Sequence, residues 1–246
     1  MKYKRHLQLV ILALLLLMLA APTALVNSGT EPVVVRVFNQ GDAISKIANL
    51  ETIKVIDYES FQWVVLKGSD RTSLEDLGTA YQVHENPYTL TLGRETFDPL
   101  LAEPKSSTNW GDTARTNGAG FHLVQFHGPT KDEWLDALIA DGLQVVQYIH
   151  PFTYVVWGEL DGRDKAAGRD FVRWTGDFLP AYAFQPMNRA LSDVPIQMRA
   201  MIFPQADLDA LLQSLEELGA TEISVSSVVD PSFDLLYFLL PGDQLG

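Results

Sequence analysis

The sequence predicts an α+β protein made of tandem ferredoxin-like units of the order βαββαβ, the third of them incomplete. Short runs that alternate apolar and polar residues predict the strands, and runs with apolar residues three and four apart predict the helices. Three predicted hairpins share a turn followed by Phe, at Phe61, Phe152 and Phe233. Because these residues are 91 and 81 positions apart, we expect separate small domains with variable linkers rather than a solenoid of fixed period.

Residues 1–28 have the pattern of a secretory signal peptide. A basic start is followed by an apolar run from Leu7 to Ala21 and then by small and polar residues. The run is shorter than the roughly 20 residues that a membrane-spanning helix needs, and Pro22 follows it directly. We therefore expect cleavage near Gly29, a secreted, extracellular protein, and no contact with the membrane after cleavage.

The first repeat is predicted over residues 31–95. Its strands are rich in β-branched and aromatic residues, and Asp42 can cap its first helix. The predicted strands cover residues 33–38, 53–58, 61–66 and 83–92, and a short second helix covers residues 73–80. A linker is predicted at residues 96–119, because Pro, Ser, Thr, Asn and Gly cluster there.

The second repeat, at residues 120–186, has the clearest pattern of the three. Thr130 and Glu133 have the spacing of a capping box, Trp134 lies on the apolar face of the helix, and Gly142 suits its left-handed end. A weaker helix is predicted at residues 161–169, where two glycines each lower helix stability by about 1 kcal/mol. The predicted strands cover residues 121–126, 143–148, 152–157 and 171–174.

A second linker at residues 187–195 leads to a partial third repeat at residues 196–246. Leucines three and four apart predict its helix, namely Leu208, Leu211, Leu212, Leu215 and Leu218. Strands are predicted at residues 196–203, 223–228 and 233–240. Since the six residues after Leu240 cannot form another helix and a fourth strand, we expect an unpaired sheet edge and a chain that is an incomplete piece of a longer protein.

The composition excludes several classes of function. The 246 residues include 31 acidic and 18 basic side chains, and the net charge of −13 becomes −16 once the three basic residues of positions 1–28 are removed. Such an acidic body argues against binding to nucleic acid or to an anionic membrane. The chain has no cysteine, which excludes a disulfide framework, a thiolate nucleophile and a cysteine-ligated metal.

We predict no catalytic, cofactor-binding or metal-binding residue. The loop at residues 127–130, His-Gly-Pro-Thr, resembles a catalytic histidine loop, but Pro-Thr is better explained as the start of a helix. His122 and His127 flank one strand with odd spacing, so their side chains should leave opposite faces and cannot share a metal. The many aromatic residues of the second repeat are interpreted as core and interface rather than as a sugar-binding platform.

The second repeat also contains a distinctive set of short motifs. They are Val124-Gln125-Phe126, Gly128-Pro129, Trp134, the hairpin at residues 148–156, Phe171-Val172-Arg173-Trp174-Thr175-Gly176 and Pro180-Ala181-Tyr182. Through them, residues 121–186 resemble the amino-terminal, non-catalytic region that precedes the protease domain in large secreted bacterial subtilisin-like serine peptidases. The flanking repeats share only the general pattern.

This resemblance implies a function and a partner. Such regions are ferredoxin-like and can serve as propeptides, so the chain is expected to be a folding aid, inhibitor or accessory domain for a subtilisin-like protease domain downstream in the same polypeptide. The full-length protein would be a serine-type endopeptidase. The Asp-Thr-Gly, His-Gly-Thr-His and Gly-Thr-Ser loops of the family have no counterpart here, so this chain itself is expected to cleave nothing.

Two other classes of function remain open at this point. An extracellular cell-surface binding or adhesion module of tandem small domains needs no catalytic residue, and binding to soluble glycans would favour it. Paired ferredoxin-like domains could also sense a small molecule, which would then stabilise the fold. The peptidase interpretation instead predicts stabilisation by a subtilisin-like domain.

Overall fold

The computed structural model describes residues 32–38, 43–68, 74, 78, 80–93, 95–102, 118–183, 194–204, 206–227 and 233–242. The predicted signal peptide, most of the linker at 96–119 and most of the linker at 187–195 lie outside these residues. The described part is an α+β structure of three small antiparallel sheets with helices and one additional two-stranded hairpin. None of its helices is long and apolar enough to cross a membrane.

Unit 1 (residues 33–84) is a four-stranded ferredoxin-like sheet. Its elements are β1 (Val33–Phe38), α1 (Ala43–Ile47), β2 (Thr52–Asp57), β3 (Phe61–Leu66) and β4 (Tyr81–His84). All neighbouring strands are antiparallel, and their order is β2-β3-β1-β4. This order, in which the first strand lies between the third and the fourth, confirms the predicted fold class. The predicted second helix at residues 73–80 falls largely outside the described residues, although Leu74 is buried in the core of the unit.

The prediction of a last strand at residues 83–92 is wrong. β4 ends at His84, and a separate hairpin follows, formed by β5 (Leu90–Leu92) and β6 (Glu95–Phe97). The chain turns between them because Asn86 adopts a left-handed conformation with φ 48° and Pro87 has no N–H to donate to a ladder. The hairpin also places a strand at the start of the segment that was expected to be a linker.

Unit 2 (residues 120–177) repeats the same topology. Its elements are β7 (Gly120–Phe126), α2 (Asp132–Ala140), β8 (Gln144–Ile149), β9 (Thr153–Gly158), α3 (Leu160–Ala167) and β10 (Val172–Asp177), followed by the short helix α4 (Pro180–Ala183). The strand order β10-β7-β9-β8 is again that of a ferredoxin-like sheet. The alternation and helix spacing of the sequence therefore predicted both the elements and the fold of this unit.

The start of α2 differs from the predicted capping box. Lys131 occupies the N-cap position and no side chain caps the helix. The Thr130 hydroxyl instead accepts a hydrogen bond from the hydroxyl of Tyr154, at 3.2 Å. Asp132 and Glu133 place negative charge in the first turn, where it interacts favourably with the helix dipole. At the other end, Gly142 has φ +90°, which confirms its predicted left-handed conformation.

Unit 3 (residues 196–240) has three strands. It consists of β11 (Ile196–Ile202), α5 (Leu208–Glu217), β12 (Thr221–Ser227) and β13 (Asp234–Leu240), with the sheet order β11-β13-β12. Asp207 caps α5 by accepting a hydrogen bond from the N–H of Ala210 at 3.0 Å. Among the described residues, no strand pairs with the outer edge of β11, the position that β4 and β10 occupy in the other units.

Each sheet packs one face against the helices of its own unit. Val35, Val37, Val64 and Leu66 meet Ile47 of α1 in unit 1. In unit 2, buried residues of β7 and β9 meet Trp134 and Leu138 of α2, and in unit 3 Leu236 and Phe238 meet Leu215 of α5. What distinguishes the units is the opposite face of each sheet, which we call the second face.

Candidate functional site

The second face of unit 1 is buried against unit 2. Val34, Ile56, Trp63 and Val65 alternate with the residues that face α1, and they belong to the same hydrophobic cluster as the core of unit 2. Unit 1 therefore does not present this face to solvent. We call this contact, between the second face of unit 1 and the loops of unit 2, the joint.

The loop at residues 127–129 forms the centre of the joint. The indole N–H of Trp63 and the hydroxyl of Tyr88 both donate to the backbone carbonyl of His127, each at 2.8 Å. The Tyr58 hydroxyl donates to the carbonyl of Pro129. A Cβ at Gly128 would lie 2.7 Å from Cδ1 of Trp63, so only glycine permits this approach. The His-Gly-Pro loop is thus used for packing between units.

A buried ion pair extends the joint along the sheet of unit 2. Nη2 of Arg173 donates to both carboxylate oxygens of Asp98, at 2.8 and 2.9 Å, and Nη1 donates to Gln125 Oε1 at 2.7 Å. The guanidinium also lies over the Tyr88 ring, 4.0 Å from its centroid. The amide nitrogen of Gln125 donates to the Tyr88 carbonyl at 3.1 Å. These hydrogen bonds and the ion pair fix the position of β10 relative to the segment that follows the hairpin.

The second face of unit 2 is covered by the hairpin. Leu90, Leu92 and Phe97 of the hairpin form one buried cluster with Leu123 of β7 and Val155 of β9. This explains why β9 is apolar on both faces although α2 and α3 cover only one. The hairpin follows unit 1 in sequence but packs as part of unit 2.

The second face of unit 3 is different. Leu235, Tyr237 and Leu239 of β13 point to this face, because they alternate with Leu236 and Phe238 in the core, and all three are only half-buried. Beside them on β11, Arg199 and Met201 are exposed, Met201 with 51% of its surface. None of the hydrophobic clusters formed by the described residues includes this face.

The central strands contain a sequence signal for these covered faces. β3, β9 and β13 each carry apolar residues on both faces, which is typical of a strand that is buried on both sides. The joint covers the second face in unit 1 and the hairpin covers it in unit 2. The second face of unit 3 is therefore the candidate docking surface, with Tyr237 at its centre.

His122, on β7, is buried, and both of its ring nitrogens face protein partners. His122 is 2% exposed, with Nδ1 3.3 Å from Asp177 and Nε2 3.2 Å from the carbonyl oxygen of Gly158. Arg163 also donates to Asp177, at 2.8 Å. Within the described ranges, no three His, Asp or Glu side chains are grouped to hold a metal ion.

Two other histidines lie beside Trp63 at the joint. The His84 ring is 4.5 Å from the Trp63 ring, and His127 carries the carbonyl that Trp63 binds. In the described part of the chain, Nε2 of His84 and Nδ1 of His127 are buried without a hydrogen-bond partner. Burial, helped by Lys54 and Arg173, lowers the pKa of His127 to about 4, and burial and Arg36 lower the pKa of His84.

We expect the joint to weaken in acid. Because the pKa of His127 is lower in the folded chain than the 6.5 of an ordinary histidine, the unfolded chain takes up the proton first as the pH falls. The stabilising contribution of neutral His127 is complete above about pH 6.5 and is lost between about pH 6.5 and pH 4. His127→Gln should therefore lose less stability across this interval than the parent, measured by urea unfolding at each pH.

A matched control is His150→Gln, which removes an exposed imidazole from the turn before β9. This variant leaves His127 and its neighbours at the joint unchanged. Equal slopes of unfolding free energy against pH for the parent and for His127→Gln would show that His127 does not titrate with folding.

One family model matches the chain, over residues 91–179, and its description is Domain of unknown function (DUF8729). The matched segment begins in the hairpin and ends just after β10, so it joins the hairpin to unit 2 as the packing does. Searches of the curated proteins and of the solved structures found no match.

Proposed function

We propose that this chain is a non-catalytic region of a secreted subtilisin-like serine peptidase, acting as folding aid, inhibitor or accessory domain for the protease domain. The docking surface in this proposal is the second face of unit 3. The observation that carries the proposal is that β13 is apolar on both faces, while no hydrophobic cluster of the described residues covers its second face as clusters cover those of β3 and β9. A partner protein that packs on this face would supply that cover.

The chemistry of the surface suits a protein partner. Tyr237 is flanked by Leu235 and Leu239, an arrangement of one aromatic and two aliphatic side chains that resembles the centre of protein interfaces. Completing the burial of a large apolar side chain contributes at most about 1.5–3 kcal/mol, and these three are already half-buried. The gain has to exceed the cost of association, so complementary charge on the partner should also contribute.

The charge of unit 3 indicates what the partner surface should carry. After Arg189 the sequence has nine acidic residues and a single basic one, Arg199. A protease domain with a basic rim around an apolar patch would be attracted to this unit. A partner that binds only the folded chain, at a free concentration 100 times its dissociation constant, stabilises the fold by about 2.7 kcal/mol.

The proposal is tested by binding between the purified chain, from Gly29 onward, and a subtilisin-like catalytic domain whose nucleophilic serine is replaced by alanine. We expect a complex in calorimetry and, with the active domain, slower hydrolysis of a chromogenic peptide. Tyr237→Lys should weaken binding at least about tenfold, equivalent to 1.4 kcal/mol, because it places a charge in the centre of the apolar surface.

Tyr81→Lys is the matched control, since Tyr81 is an exposed tyrosine on a strand of unit 1. It should bind like the parent, and circular dichroism should show that both variants are folded. The proposal fails if the parent neither binds nor slows any subtilisin-like domain tested, or if Tyr237→Lys binds as the parent does. Hydrolysis of casein by the chain alone, abolished by a serine-protease inhibitor, would also contradict it.

An extracellular binding or adhesion module is a second candidate function. The joint favours it, because the second face of unit 1 packs in one hydrophobic cluster with the core of unit 2, which makes the two units a platform that needs no protease domain to hold it together. Binding of the chain to cells or soluble glycans through Tyr237, without any effect on peptidases, would select this candidate.

A further inference from the structure

Among the described residues, the outer edge of β11 has no paired strand, unlike the corresponding edges in units 1 and 2. β1 has β3 on one side and β4 on the other, and β7 has β9 and β10 in the same positions. Within the described residues, β11 pairs with β13 alone. An edge of this kind presents a row of backbone N–H and C=O groups that can bind a further strand.

The side chains of β11 define what kind of strand would fit. Arg199, the central residue of β11, is exposed, lies opposite Tyr237 on the second face and makes no ion pair with any described residue. It is also the single basic residue after Arg189. On the helix side of the same strand, Met198 and Ala200 are only partly buried, because α5 is the one described helix that covers this sheet.

We propose that the outer edge of β11 binds an extended segment of a partner protein as an antiparallel fourth strand, with an acidic side chain of that segment paired to Arg199. On the opposite face of the added strand, apolar residues would pack next to Met198 and Ala200. This inference is independent of the peptidase proposal, because it concerns the edge of the sheet and the charge of its partner, whereas the peptidase proposal concerns the apolar second face.

The chain itself contains two examples of this pairing. β10 lies antiparallel to β7 over Val172–Asp177, and β4 lies antiparallel to β1 over Tyr81–His84. β11 and β7 are both followed by a helix that begins six residues after the strand ends, so the outer edge of β11 corresponds to the edge that β10 occupies. Because cross-strand pairs of opposite charge stabilise a sheet and like pairs destabilise it, Arg199 selects an acidic strand and rejects a basic one.

A tethered strand gives the test. A Gly-Ser linker of about 15 residues has a root-mean-square length of roughly 20 Å, which matches the length of a seven-residue strand. It is added to the full chain after Gly246 and followed by seven residues that alternate Val and Thr. One version carries Glu at the Thr position opposite Arg199, and its matched control carries Lys there. The linker supplies a millimolar effective concentration, so that even a weak pairing is populated.

The readout is amide hydrogen exchange of β11 in each fusion, with exchange of β13 as the check that unit 3 remains folded. We expect the Glu strand to slow exchange of β11 by about tenfold or more, and the Lys strand to slow it much less. In the Arg199→Glu chain the preference should reverse. Failure of the Glu strand to protect β11, or equal protection by the two strands, would overturn the proposal. A preference for Glu that survives Arg199→Glu would do the same.

Discussion

Replacing Trp134 by Ala should lower the free energy of unfolding by about 3 to 5 kcal/mol, the range for removal of a buried Trp or Phe side chain. Trp134 is 7% exposed and lies between sheet and helix in unit 2. Its ring stacks parallel on Phe171 at 5.2 Å and meets the Phe126 ring edge-on at 5.3 Å. The truncation therefore leaves a cavity and removes two aromatic contacts. Urea unfolding followed by far-ultraviolet circular dichroism measures the difference.

Ile139→Ala is the matched control on the same helix. Ile139 follows the buried Leu138 but has 59% of its surface exposed, so its truncation should change stability by no more than about 0.5 kcal/mol. If Trp134→Ala melts within a degree or two of the parent, α2 does not pack on its sheet as described.

Arg173→Met should be comparably destabilising, at about 3 to 5 kcal/mol, because it leaves a charge buried without its partner. The Arg173 side chain is 3% exposed and that of Asp98 is 13% exposed. Removing the guanidinium also takes away the hydrogen bond to Gln125 and the contact with the Tyr88 ring. Urea unfolding followed by far-ultraviolet circular dichroism measures the loss.

The double variant Arg173→Met with Asp98→Leu separates the two contributions. When both members of a buried pair are replaced by apolar residues of similar size, stability often changes little. We therefore expect the double variant to recover most of the stability that Arg173→Met loses. A double variant that is as unstable as the single one would show that the hydrogen bond to Gln125, and not the charge on Asp98, is what matters.

The elements of the fold were predictable because their signals are local. The spacing of the leucines in α5 and the alternation in β7 predict the positions of a helix and a strand to within a few residues. The three hairpins predict which strands are neighbours. The strand order of unit 2 then followed from the ferredoxin-like pattern. Asn86 and Pro87 are a local turn signal inside the predicted strand at residues 83–92. The strand prediction was wrong there because it followed the apolar residues on either side and ignored this turn.

The joint and the docking surface were not predictable in the same way. Trp63 and the carbonyl of His127 are 64 residues apart in sequence, and no local pattern connects them. The capping-box prediction at Thr130 was wrong by one residue, because the extended residue before α2 is Lys131. Only the unbroken apolar character of the central strands indicates that second faces are covered, and it does not say by what.

In the part of the chain that the structure describes, units 1 and 2 share one hydrophobic cluster, whereas unit 3 has an unpaired edge at β11 and a second face outside the clusters. Amide hydrogen exchange of the monomeric chain tests it most directly, because protection reports the stability of each segment. We expect the strands of units 1 and 2 to exchange slowly and together, and residues 196–246 to exchange faster than residues 120–186. Equal protection of these two segments in a monomer, or independent opening of units 1 and 2, would contradict it.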